Sequence, residues 1–132
     1  MARTSAQVVL LDATVAAASS GTKGSPGAAT TNGFYDNTAN YNSPLGIVIT
    51  NGATAPGTPL TVVVQVADTN AGPWTDYFSI AGDTAGYNAS TQAGVTSVTI
   101  ELSKVRFVRV IAYGNTSQSV AVTVRLHAVT GL

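Results

Sequence analysis

From residue 44 onward the chain alternates between apolar and polar positions at every second residue. Leu60, Val62, Val64 and Val66 share one side of an extended segment, and Thr61, Val63, Gln65 and Ala67 share the other. Val98, Ile100 and Leu102 repeat the pattern opposite Ser97, Thr99 and Glu101. It is cleanest near the end, where Val120, Val122, Val124, Leu126 and Ala128 alternate with Ser119, Ala121, Thr123, Arg125 and His127. A period of two is that of a β-strand with one dry face. In KVRFVRVIAYGN the faces are mixed: Lys104, Arg106, Val108 and Val110 oppose Val105, Phe107, Arg109, Ile111 and Tyr113. No window carries a long helical stripe, and Thr, Val, Gly and Pro dominate, so little or no helix is expected.

Turn chemistry separates these runs at Asn51-Gly52 through Pro59, Thr69 to Pro73, Gly82 to Gly94 and Gly114 to Gln118. Seven or eight strands at this spacing predict an all-β chain: a two-sheet antiparallel β-sandwich, jelly roll or Greek key, forming one domain over residues 1–132. Residues 12–43, DATVAAASSGTKGSPGAATTNGFYDNTANYNS, break the pattern, with few large apolar side chains before Phe34. Such a segment cannot build its own core. Two readings stay open: a surface loop, or a long irregular arm that lies on neighbouring subunits and pins Phe34, Tyr35 and Tyr41 into another surface.

Composition narrows the partners. Six basic residues balance six acidic ones, and only 9% of residues are charged, so no summed field draws in nucleic acid or an anionic membrane. Neither is expected as a partner. A weakly charged surface suits close lateral assembly. Cysteine is absent, which removes disulfides and Cys-ligated zinc. The start, MARTSAQVVLLDATVAAASS, has Arg3 and an apolar patch, but Asp12 interrupts it; a secretory leader is not expected.

Catalytic constellations are not found. His127 alternates with Arg125 on a polar strand face, without a second His or Cys to complete a transition-metal site. Asp68 and Asp76 flank the turn of one hairpin, where they read as turn caps more simply than as paired glycosidase carboxylates or, with Asn70, as a calcium loop. No G-x-S-x-G occurs, and GTKGSPG lacks the context of a phosphate loop. Asn88 and Asn115 open N-x-S/T sequons of the kind chance supplies in such a composition. The expectation is a non-enzyme without cofactor or metal. Arg106 and Arg109 either snorkel beside acidic neighbours or anchor a partner subunit.

The sole tryptophan lies in VVVQVADTNAGPWTDYFSI. Alternation sets Trp74, Asp76 and Phe78 opposite Thr75, Tyr77 and Ser79, and the indole is a structural plug, a subunit contact or, with Tyr77 and Tyr87, a sugar-stacking surface.

The pair VVVQVADTNAGPWTDY and VRFVRVIAYGN resembles a motif pair of discoidin-like and galactose-binding-like jelly rolls, whose tryptophan after the turn belongs to a structural hairpin. The whole chain, with its valine-rich sandwich and Thr/Ala/Gly/Asn-rich arm, resembles small virion proteins of tailed bacteriophages, foremost the capsid decoration (cement) proteins. That resemblance implies a protein made in the host cytoplasm that adds to the capsid exterior. There it bridges neighbouring copies of the major capsid protein, often as a homotrimer, with no catalytic residue to carry over. Arg3, Phe34, Tyr35, Tyr41, Arg106 and Arg109 are the candidate subunit or capsid contacts. The alternatives are a carbohydrate-binding module of a fibre, stacking sugars on Trp74, Tyr77 and Tyr87, and another head-tail structural protein.

Overall fold

The computed structural model describes residues 4–17, 34–40, 43–102 and 105–130. Arg3, Tyr41, Lys104 and most of the irregular 12–43 segment lie outside these residues. Eight strands follow one another: β1 (Thr4–Val15), β2 (Tyr35–Asp36), β3 (Ser43–Asn51), β4 (Thr61–Ala67), β5 (Thr75–Ala81), β6 (Val95–Leu102), β7 (Phe107–Tyr113) and β8 (Val120–Thr130). They form two four-stranded sheets in the orders β1-β8-β3-β6 and β2-β7-β4-β5, here sheets A and B. All named pairs are antiparallel. Eight antiparallel strands that pass between two facing sheets, except at the β4–β5 hairpin, in the orders β1-β8-β3-β6 and β2-β7-β4-β5 make a jelly roll.

The sandwich interior follows from the alternation. Leu45, Ile47 and Ile49 of β3 and Val120, Val122, Val124 and Leu126 of β8 face Val62 and Val64 of β4 and Val108 and Val110 of β7, all buried. Each such side chain contributes about 1.5–3 kcal/mol on burial. Their polar neighbours in sequence point outward.

Two strands depart from the expected pattern. The sheet begins at residue 4 and not at 44: β1 pairs with β8 from Thr4 to Val15, so residues 12–15 of the presumed arm are strand. A bulge between Val9 and Leu11 inserts an extra residue, and this turns both Leu10 and Leu11 into the core. Because a bulge erases the period of two, β1 is illegible as a strand. In β5 a second register shift pairs Val64 with Phe78 but Gln65 with Asp76. Asp76 therefore faces outward beside Gln65 while Phe78 packs against the core, so Trp74 and Phe78 do not share a face.

Sheet B also lacks the single dry face expected of it. Val63, Ala67, Phe107 and Ile111 alternate with the interior residues and are nonetheless buried.

Candidate functional site

The two sheets present opposite kinds of outer surface. On sheet B, the cross-strand pairs Ala67–Phe107, Gln65–Arg109 and Val63–Ile111 line up across β4 and β7. Over them lies an aromatic cap. Phe34, entering β2, meets Phe107 edge-on at 5.6 Å between ring centres and Trp74 at 6.2 Å. The Arg109 guanidinium lies 4.3 Å from the Trp74 ring centre, and that of Arg106 lies 5.4 Å from the Phe107 centre. Arg109 Nε donates to Gln65 Oε1 at 2.8 Å, and Gln65 Nε2 donates to Asp76 Oδ1 at 2.8 Å. Desolvation lowers the Arg109 pKa from its ordinary value, yet a guanidinium stays cationic at neutral pH. The chain Trp74–Arg109–Gln65–Asp76 lets a buried amide and a half-buried cation share one sheet face.

Local backbone holds this cap. Thr69 closes the β4–β5 turn: its hydroxyl donates to the Gly72 carbonyl at 2.6 Å, and Gly72 N–H donates to the Thr69 carbonyl at 3.1 Å. These bonds, and not a cap by Asp68, fix the turn. Gly72 has φ +91°, and a Cβ there would lie 2.9 Å from Trp74 Cδ1, so the indole is seated where only glycine precedes it by two. Tyr35 pairs with Val108, and Asn37 N–H donates to the Arg106 carbonyl at 2.7 Å. The Asp36 carboxyl is held below its ordinary range by the Thr38 hydroxyl and amide, with a smaller contribution from the Arg106 charge.

Each predicted residue can now be placed. Phe34, Trp74, Arg106 and Arg109 converge on this cap, whereas Tyr35, opposite the interior Val108, packs against the sandwich core, its hydroxyl accepting from Asn40 Nδ2 at 3.2 Å, and is not an outward anchor. Tyr77, the unpaired residue of the β5 register shift, donates its hydroxyl to the Glu101 carbonyl at 2.8 Å and so latches the β5 edge of sheet B to the β6 edge of sheet A. Tyr87 is exposed on the β5–β6 loop, its amide donating to the Gly52 carbonyl at 2.7 Å. That loop meets the Leu60 end of β4, whereas Trp74 covers the Ala67 end, so Trp74, Tyr77 and Tyr87 are not assembled into one stacking platform. His127 is exposed on β8 beside Gln7. Of the two sequons, Asn115 is buried, its Nδ2 donating to the carbonyls of Val15, Ala16 and Gln118, and Asn88 is exposed. Among the described residues no group of three or more His, Asp or Glu could hold a metal ion.

Among the described residues, none lies over the outer face of sheet A as the aromatic cap lies over sheet B. Gly46, Val48, Thr123 and Arg125 line a dent of about 230 Å³, smaller than the ~300–1,000 Å³ of small-molecule sites and suited to a side chain. A Cβ added at Gly46 would meet nothing within 4 Å. Val48 at 40% exposure and Val9 at 38% flank the dent on either side of the Arg125 and Thr123 rows. A larger cleft of about 430 Å³ opens at the Ala67 end of the sandwich, lined by Val66, Ala67, Asp68, Pro73, Thr75, Val105 and Arg106. Sequence reasoning missed Gln65 and the Gly46 dent. The first had a signal, a lone amide within VVVQV; the second, a glycine within a strand, marks a place where another chain can come close.

No family model matches the chain, and no curated protein matches it in sequence. Its fold is shared with assembly-forming proteins. A subunit of Bacillus endospore appendages, described as a novel family of disulfide-linked pili, superposes with a TM-score of 0.51 at 15% identity, over 98% of this chain and 89% of that one. VP2 of infectious bursal disease virus, in its subviral particle, gives 0.53 at 9% identity over 97% of this chain. A chain of the T13 particle of the same virus gives 0.51 at 9% over 96%. This chain spans 33% and 31% of those two viral chains. At such identities the likeness establishes the jelly-roll fold.

Proposed function

We propose that the protein is a structural virion subunit that decorates an assembled phage capsid on its exterior, binding the major capsid protein and bridging its neighbouring subunits. One observation carries this reading: the outer face of sheet A, which no other described residue covers, with its glycine-floored dent lined by the exposed Val48. The dent is sized for a side chain, so its natural occupant is another protein surface. Low net charge removes long-range repulsion between copies crowded on a shell. Many such contacts, repeated by symmetry, add to an avidity that no single one supplies. The jelly roll shared with a viral capsid protein and a pilus subunit supports the same reading.

The test is reconstitution. Phage heads incubated with the protein and imaged by cryo-electron microscopy are expected to gain regularly spaced outer density with sheet A turned toward the shell. Heads without added density, or density with sheet B against the shell, would refute it.

A further inference from the structure

Asn51 ends β3, is 2% exposed and is followed by Gly52. Its side chain fastens the loop between β5 and β6: Nδ2 donates to the Asp83 carbonyl at 2.9 Å and to the Ala85 carbonyl at 2.7 Å. Two backbone bonds run beside it, from Asn51 N–H to the Gly94 carbonyl at 2.9 Å and from Tyr87 N–H to the Gly52 carbonyl at 2.7 Å. Asn51 thus holds both the start and the end of the 82–94 loop. A Cβ at Gly86 would collide with the Ala53 carbonyl, so the loop lies flush against the chain that follows Asn51.

An Asn-Gly pair is chemically labile, because glycine has no side chain to keep its backbone nitrogen away from the carboxamide before it. The Gly52 nitrogen attacks Asn51 Cγ: an N–Cγ bond forms, the Cγ–Nδ2 bond breaks, and Nδ2 leaves as ammonia, taking up the proton that the Gly52 nitrogen gives up. Water then adds to one carbonyl of the resulting succinimide and opens the ring to aspartate or isoaspartate. The sum is amide plus water to acid plus ammonia, with no enzyme and no oxidant. The fold blocks the first step. Asn51 is an extended strand residue paired with Val120, and with Nδ2 bonded to two carbonyls its side chain cannot fold back over Gly52. The product, in turn, does not fit the fold. Asn51 Oδ1 is buried and finds no donor among the described residues, and an oxygen in place of Nδ2 would face two carbonyl oxygens. A carboxylate there is desolvated without a donor on either side.

We propose that Asn51-Gly52 is a self-modifying site held inert by the fold, and that its conversion releases the 82–94 loop for good. Loops open locally and close again. While this one is open, the carboxamide is free to turn onto the Gly52 nitrogen; once the amide is lost, the clamp cannot re-form. An opening that would have reversed becomes permanent. The site is independent of shell binding, since Asn51 shares the inward side of β3 with Leu45, Ile47 and Ile49, opposite to Gly46 and Val48.

Peptide mass spectrometry of the full chain, aged in native buffer and in urea, tests this, with hydrogen exchange on the aged native sample after converted molecules are separated by their added charge. Asn51 should convert about tenfold or more slowly in the folded chain than in urea. In converted molecules the Tyr87 amide should exchange about tenfold or more faster than in unconverted ones, while β8 amides hold. Asn51→Asp should reproduce that fast exchange, and the aged wild type supplies the same reading if the variant does not fold. Equal conversion rates in buffer and urea, no conversion in urea, unchanged Tyr87 exchange after conversion, or β8 amides that quicken as much as Tyr87 would overturn the proposal.

Discussion

The two sheets of one small jelly roll differ in their outer faces: among the described residues, that of sheet B is roofed by aromatic side chains and that of sheet A is open. Sheet B carries Phe34, Trp74 and Phe107 with two guanidiniums against the rings. Sheet A carries Gly46, Thr123, Arg125 and two exposed valines. The residues on sheet B that advertise binding, Trp74, Arg106 and Arg109, are thus engaged within the chain. On the proposed reading, the surface that meets a partner is the plain one. Aromatic and arginine side chains are common anchors at interfaces, but their faces can be consumed by each other, and here the indole is met by both Arg109 and Phe34.

Matched substitutions on the two faces would break or sharpen this contrast. The largest effect is expected from Trp74→Ala, which removes the centre of the cap and costs about 2 kcal/mol in denaturant unfolding, whereas Val48→Ala stays within about 0.5 kcal/mol. Equal costs would show that sheet B is no more structural than sheet A. Next is Arg109→Ala against Arg125→Ala. The first strips the Gln65 carbonyl oxygen of its donor in a buried side chain and costs about 1–2 kcal/mol, while the second leaves stability nearly unchanged. The glycines should differ even in sign. Gly72→Ala forces a Cβ against the indole at positive φ and costs about 1–2 kcal/mol; Gly46→Ala, entering open space within a strand, stabilises by about 0.5 kcal/mol.

Much of this was legible beforehand, and the exceptions have physical causes. Wherever alternation ran unbroken, as in β4, β6 and β8, the faces followed from the sequence. It failed where a register shift inserted a residue, at Leu10 in β1 and Tyr77 in β5. Phe34 and Tyr35 could be recognised as anchors but not assigned a destination, because only the fold brings β2 beside β7. Sequence spacing leaves Arg109 either beside an acidic neighbour or at a partner contact; its actual neighbours, an indole face and an amide, come from segments far from it in sequence. The open dent at Gly46 could not be seen at all, since an absent side chain leaves no trace in a hydropathy pattern.

The smallest expected effect concerns pH. Asp36, at the β2 margin of the sheet B cap, has its folded pKa lowered by Thr38 and by Arg106. Its contribution is therefore present above the ordinary carboxylate range and is lost as pH falls through the lowered folded value. Amide exchange at Thr38, whose N–H donates to Asp36 at 3.0 Å, should accelerate over that acid window while β3 and β8 amides hold. Asp36→Asn should abolish the acid dependence.

The central claim, that sheet A is the docking face, is met most directly by Gly46→Leu. The dent has room for this side chain, so unfolding should match or slightly exceed the wild type in stability. Co-sedimentation with undecorated heads is then the measurement. The account predicts a folded variant that no longer pellets with heads that carry down the wild type; undiminished binding by a folded Gly46→Leu protein would contradict it.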